Sequence, residues 1–165
     1  MDSIQTIVNF LSLFFGGLIA GLLFSYSCSV NPGLKSLADS EYLKAMQAIN
    51  TAIQNPYFLI SFMSLLFILP ITTFLIFNQQ ADASFYFMLA ATIIYLVGVF
   101  GVTIFCNVPL NEQLAKISVS TATITEISTT RFSFEKPWNT YHSVRTIASS
   151  ISFGLTILSI IKSNH

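Results

Sequence analysis

Four stretches of the chain stay apolar long enough to cross a membrane, roughly residues 4–30, 57–77, 85–106 and 141–161, against the ~20 residues that a helical span requires. Only NQQADAS separates the second from the third, which predicts a tight antiparallel hairpin. The other two connections are longer and carry polar residues at helical spacing. In the first, NPG (Asn31 to Gly33) is expected to end the first span. There follows SLADSEYLKAMQAINTAIQ, in which Tyr42, Met46, Ile49 and Ile53 recur at intervals of four, three and four, with Lys44, Gln47, Asn50 and Gln54 between them. That pattern predicts an amphipathic helix over about 36–54, opened by a capping-box-like Ser36/Asp39 and closed before Asn55-Pro56. In the second, Leu110, Leu114, Ile117, Thr121, Ile124 and Ile127 predict a helix over about 111–131, prolonging the third span with a bend near Pro109. Its Ser/Thr content lowers its intrinsic helix preference. It is expected to end around Arg131, with Pro137 restarting the chain into the fourth span.

Composition sharpens this picture. Charged residues make up 8% of the 165 and mean hydropathy is +0.71, where a soluble domain carries roughly 25% charged residues. The pattern therefore reads as one all-α integral membrane domain spanning 1–165, a four-transmembrane-helix bundle with two long, partly helical connections on one side. Net charge is zero, without the basic patch that nucleic acid requires. Lys35, Lys44, Lys116, Arg131 and Lys136 lie in the two long connections and Arg145 just inside the fourth span, against Lys162 on the other face. By the positive-inside rule the long connections are expected to be cytoplasmic and both termini outside, with a bacterial inner membrane as the setting. The opening MDSIQ lacks the positive n-region of a signal peptide, and the apolar run to Val30 is too long for an h-region. Cys28 and Cys106 read as two buried structural thiols. Gly17 and Gly21 form a small-xxx-small pair and Gly98, Gly101 and Gly154 offer similar notches, so helix contacts and a homo-oligomer through such faces are expected.

Candidate chemistry gathers at KPWNTYHSVR, residues 136–145, where Trp138, Asn139, His142 and Arg145 share a helical face. Asn107 and Asn111, four apart across Pro109, lie at the same membrane edge, next to the helix that bears Gln47 and Asn50. Each has an ordinary alternative. Trp138 and Arg145 suit an interfacial anchor that snorkels, and an Asn beside Pro suits a turn or cap. The His142/Arg145 pair stands apart, because ionisable groups inside a membrane are costly and tend to be functional. His142 and His165 are the only imidazoles and no span contains a carboxylate, too few ligands for a copper, zinc, di-iron or bis-His haem site. GGLIAG (Gly16 to Gly21) lies inside a span and reads as packing, not as a dinucleotide fingerprint.

The pattern NPGL…YLKAMQAIN…NPYF, then CNVPLNEQL, then W-N-x-x-H-x-x-R, resembles the small four-span membrane proteins that include fungal anthrone oxygenases, most of them bacterial. The resemblance covers nearly the whole chain. Its most specific parts are Asn107, Pro109 and Asn111, and Trp138, Asn139, His142 and Arg145. It implies oxidation of an activated methylene to a ketone by molecular oxygen, with no metal or flavin cofactor. His142 would then serve as base. Arg145 and the amides of Asn107 or Asn111 would donate to the developing enolate, and Trp138 would form a wall against a lipophilic aromatic or quinone-like ligand. Asn139, Gln47 and Asn50 complete the expected binding set. An enzyme of this kind should have an apolar pocket of about 300 Å³ or more lined by His142 and Arg145. Two other readings use the same residues: a non-catalytic module that binds a membrane lipid, quinone or partner subunit, and a small transporter, which would lack a coupling carboxylate.

Overall fold

The computed structural model describes residues 3–79 and 82–163, and among these it is all-helical. Five helices result: α1 (Ser3–Lys35), α2 (Asp39–Ala52), α3 (Pro56–Gln79), α4 (Ala83–Ala115) and α5 (Ile124–Ser163). All but α2 are long and apolar enough to span a membrane, so the protein is an integral membrane four-helix bundle. At 40 residues, α5 is about 60 Å long, twice the ~30 Å hydrocarbon core. It therefore runs through the bundle and onward into the layer that α2 covers. The middle of the expected α3–α4 hairpin turn (residues 80 and 81) and His165 lie outside the described residues.

Around the bundle each helix packs on the next, α1 on α3, α3 on α4, α4 on α5 and α5 on α1. Ile19, Leu23, Leu65, Leu69, Met88, Tyr95 and Val99 fill the centre. Hydroxyl contacts join the helices at intervals. Ser12 and Thr72 meet at 3.0 Å, Thr73 and Thr92 at 2.8 Å, and Ser152 donates to the Ala91 carbonyl at 2.8 Å. Near the turn, Ser84 and Ser159 each donate to the other's carbonyl, at 3.0 and 2.7 Å. In lipid such bonds contribute on average about 0.6 kcal/mol each. On α5 they form one buried polar stripe, Arg145, Thr146, Ser149, Ser152, Thr156 and Ser159, facing inward while Ile147, Ile151 and Leu158 face lipid.

A second cluster caps the long-connection end. Leu34, Tyr42, Leu43, Met46, Leu114, Phe134 and Trp138 bury one another where α2 lies against the ends of α1, α4 and α5. Arg131 bolts this layer together. It pairs with Asp39 at 3.0 Å and Glu135 at 2.7 Å, donates to the carbonyls of Leu37 and Lys35, and sits 4.5 Å over the Tyr42 ring. Burial above all, reinforced by the Glu135 carboxylate and opposed by the Arg131 guanidinium, pushes the Tyr42 hydroxyl well above its usual range, so it stays protonated.

Four boundaries differ from the sequence expectation. The first span does not stop at NPG: α1 widens into a π-helical turn at Tyr26–Val30 and continues to Lys35. The Asn31 N–H reaches back five residues to Tyr26, which makes room for a proline ring that would strain an ordinary turn. Another π-turn, Thr103–Asn107, stands in the same relation to Pro109, with the Val108 N–H bonded to Thr103, and the helix persists to Ala115. The predicted 111–131 helix is interrupted at residues 116–123. There Thr123 and Glu126 form a reciprocal capping box, Thr123 N–H to Glu126 Oε2 at 2.7 Å and Glu126 N–H to Thr123 Oγ1 at 3.3 Å, and start α5 afresh. Pro137 then lies inside α5 and restarts nothing. Likewise α2 begins at Asp39, with Ala38 N–H donating to Glu41, while Ser36 bonds back to Gly33. The expected burial of the two thiols is not met either, since Cys28 is exposed and Cys106 half-buried.

Gly16 and Gly17 serve contacts within the chain, since a Cβ there would touch Phe153 at 3.3–3.4 Å, whereas one at Gly21 would meet nothing within 4 Å. Gly98 is tighter still: an added Cβ would sit 2.7 Å from the Ala148 Cβ. Gly98→Ala is therefore expected to destabilise the α4–α5 contact by about 1–3 kcal/mol. The double variant with Ala148→Gly should recover most of that loss, read as the unfolding midpoint in detergent. Equal midpoints for Gly98→Ala and the parent would mean that the two helices part without cost.

Candidate functional site

The site lies at the seam between the two hydrophobic clusters, where α5 passes from the cap into the bundle. Positions 134, 138 and 142 fall on one face of α5, and their rings stack in sequence. Phe134 and Trp138 lie 6.2 Å apart, while Trp138 and His142 lie 5.2 Å apart and within 6° of parallel. From α1, the ring of Tyr26 closes on His142 at 5.9 Å. His142 is 1% exposed and Arg145 9%.

Arg145 Nη2 lies 3.2 Å from His142 Nδ1, Arg145 Nη1 donates to Thr103 Oγ1 at 3.3 Å, and the guanidinium carbon stands 5.6 Å from the Trp138 ring centre. The other ring nitrogen of His142, Nε2, lies 3.4 Å from Thr146 Oγ1. That hydroxyl also meets Ser27 Oγ at 2.9 Å and reaches the carbonyls of His142 and Leu23. Two of the three π-helical stretches among the described residues therefore feed the site: Tyr26 and Ser27 lie on Tyr26–Val30, Thr103 and Asn107 on Thr103–Asn107, while Tyr95–Gly101 lies deeper in the bundle. Local widening of a helix commonly accompanies functional sites.

Asn107 and Asn111 support Trp138. Asn107 Nδ2 donates to the Trp138 carbonyl at 3.3 Å, and Asn111 Oδ1 accepts the Trp138 indole N–H at 2.8 Å. An indole nitrogen only donates and a carbonyl only accepts, which orients both amides. One Asn107 amide N–H thus goes to backbone, and its Oδ1 acceptor is buried without a partner. Arg145 Nε is likewise buried and unpartnered.

The structure thus joins His142, Arg145, Trp138, Asn107 and Asn111 through direct contacts. Gln47 is engaged elsewhere, its Nε2 donating to the carbonyls of Leu114 and Ile117, where it closes the C-terminal end of α4. Asn50 and Asn139 are half-buried, with Asn50 Nδ2 and Asn139 Oδ1 enclosed and unpaired. Tyr26, Ser27, Thr103 and Thr146 were absent from the sequence-derived set. For Thr146 and Thr103 a signal existed, since each lies four residues from a named candidate, His142 and Asn107.

Two cavities stand out. One, of about 10 Å³, sits in the bundle between Ser12, Gly16, Tyr95, Ser149 and Thr156. The other, an open groove of about 480 Å³, lies over the α4–α5 connection and is lined by Lys116, Thr121, Glu126 and Thr130. Neither of these two is lined by His142 or Arg145.

A family model described as anthrone oxygenase matches residues 56–155, more than half of the chain. The chain belongs to the anthrone oxygenase family. The match takes in Asn107, Asn111, Trp138, His142 and Arg145, and leaves α1 and α2, with Tyr26 and Ser27, outside it. No curated protein and no solved structure matches the chain significantly. Within this family setting the buried His/Arg pair is a base candidate beside a cation with spare hydrogen-bonding capacity, walled by an aromatic ring.

Proposed function

We propose that the protein is a cofactor-independent oxygenase that oxidises an activated methylene of a lipophilic aromatic compound, anthrone- or quinol-like, at the membrane edge. One observation carries the reading: His142 and Arg145 touch inside a 1–9% exposed site, under the Trp138 ring, in the part of the chain that matches the family. The net change is R₂CH₂ + O₂ → R₂C=O + H₂O. A C–H proton passes to His142, Arg145 balances the enolate oxygen that develops, and the electron-rich carbanion reduces oxygen. A peroxide formed at that carbon loses water to leave the ketone. Hydrogen-bond donors that meet developing charge in a water-poor site contribute on the order of 3 kcal/mol each. Trp138 offers the flat wall, held by Asn111. On this reading the long connections face the cytoplasm, following the excess of Lys and Arg there.

A second reading, a non-catalytic module that binds a lipid or quinone, draws on the same groups, since Arg145 Nε and Asn107 Oδ1 are buried without a partner and could meet a ligand carbonyl or hydroxyl. Oxygen uptake separates the two. Purified protein in nanodiscs is given anthrone, and both oxygen loss and anthraquinone formation are followed against empty nanodiscs. The oxygenase should exceed the spontaneous oxidation in proportion to protein added. A rate equal to that of empty nanodiscs would transfer the site to the binding reading.

A further inference from the structure

Both ring nitrogens of His142 have a defined neighbour, and the two neighbours differ in what they can do. A guanidinium only donates hydrogen bonds, so with Arg145 Nη2 at 3.2 Å from Nδ1 that nitrogen carries the lone pair. The ring proton then sits on Nε2 and points to Thr146 Oγ1 at 3.4 Å. Thr146 can accept it because its own proton has outlets in the carbonyls of His142 at 3.0 Å and Leu23 at 3.3 Å. Ser27 Oγ at 2.9 Å holds the hydroxyl from the side of α1. Arg145, for its part, is loosely tied. Its other polar contact is a 3.3 Å bond to a threonine hydroxyl, and its Nε is buried without a partner.

We propose that Arg145 is a positioning residue that fixes His142 as the Nε2–H tautomer, with Thr146 accepting that proton, and that the same guanidinium masks Nδ1, the only nitrogen left to take a proton. The imidazole becomes a base when a ligand oxygen, carbonyl or enolate, draws the guanidinium onto itself. Proton transfer then breaks the ligand C–H bond and forms Nδ1–H, while Nε2–H stays on Thr146. Binding and base activation are coupled, so the site takes flat, apolar ligands bearing an oxygen acceptor next to the acidic carbon. This deepens the oxygenase reading and rests on it for the role of His142 as base; the tautomer and the masking are tested without turnover.

The chain contains two histidines, so His165→Gln leaves one imidazole for nitrogen-15 NMR of the full chain in nanodiscs. The expected spectrum has a protonated Nε2 and a bare Nδ1. Arg145→Met, which keeps much of the stem and removes the donors, should yield a tautomer mixture, and Arg145→Lys, which still donates, should keep the single form. Excess 1-naphthol, a flat phenol, should shift the Nδ1 resonance as Arg145 leaves it. A protonated Nδ1 in the parent, or an unchanged tautomer in Arg145→Met, overturns the positioning role. An Nδ1 resonance that stays in place in excess 1-naphthol overturns the masking. If the tautomer pattern holds and anthrone is not turned over, the fault lies with the oxygenase reading alone.

Discussion

Replacing His142 with glutamine is expected to lower oxygen uptake on anthrone by about 10²–10⁴-fold, the usual contribution of a positioned general base. Glutamine is the informative choice because its side-chain carbonyl can still accept from Arg145, which at 9% exposure would otherwise be left without its closest partner. Alanine would add a void beneath Trp138, whose ring stacks on the imidazole at 5.2 Å, and would confound lost chemistry with lost packing. The measurement is the initial rate per mole of folded protein, with the chain's one tryptophan, Trp138, reporting on folding by its fluorescence. Folded His142→Gln protein that turns over at the parental rate would remove His142 as base and leave the imidazole a structural role.

The largest effect on stability should come from Arg131. Its guanidinium is shared among Asp39, Glu135 and the carbonyls of Leu37 and Lys35, so it ties the end of α1 and the start of α2 to α5. Arg131→Met keeps an apolar stem against Tyr42 but leaves two carboxylates and two carbonyls short of a donor. Hydrogen bonds to charged groups contribute about 1.5–3 kcal/mol each. Some of the freed groups reach water, since Asp39 is 43% exposed. We expect a net loss of about 3 kcal/mol, seen as an earlier denaturant midpoint for the Trp138 signal. A shift below about 1 kcal/mol would class Arg131 with exposed ion pairs.

Much of the architecture was legible because lipid imposes a length: an apolar run of about 20 residues has few alternatives to a spanning helix. The positions where elements end were harder. Asn31-Pro32-Gly33 has the composition of a stop, yet a π-turn one residue earlier absorbs the proline, and nothing in YSCSV marks that turn in advance. The break before α5 was readable in principle, since Thr123-Ile124-Thr125-Glu126 is a capping-box sequence overshadowed by a run of correctly spaced apolar residues. At the site, spacing along α5 sufficed to place Trp138, His142 and Arg145 together. Their partners Tyr26, Ser27 and Thr103 come from helices distant in sequence, and only docking brings those hydroxyls and that ring into reach. Gln47 shows the limit from the other side: its face was predicted, but which carbonyls it would meet depends on where α4 stops.

The two hydrophobic clusters meet across a polar seam, and this arrangement bears on how the molecule comes apart. The cap is stabilised by the hydrophobic effect and by Arg131, both of which denaturant weakens, while the bundle is held by packing and hydroxyl bonds within lipid. Cooperativity between such differently solvated halves is limited, so opening should be sub-global rather than all-or-none. Trp138 belongs to the cap cluster, whereas most helical residues belong to the spans. Its emission should therefore change at a lower urea concentration than far-ultraviolet dichroism does, with an intermediate that retains the membrane helices and has lost the cover over His142.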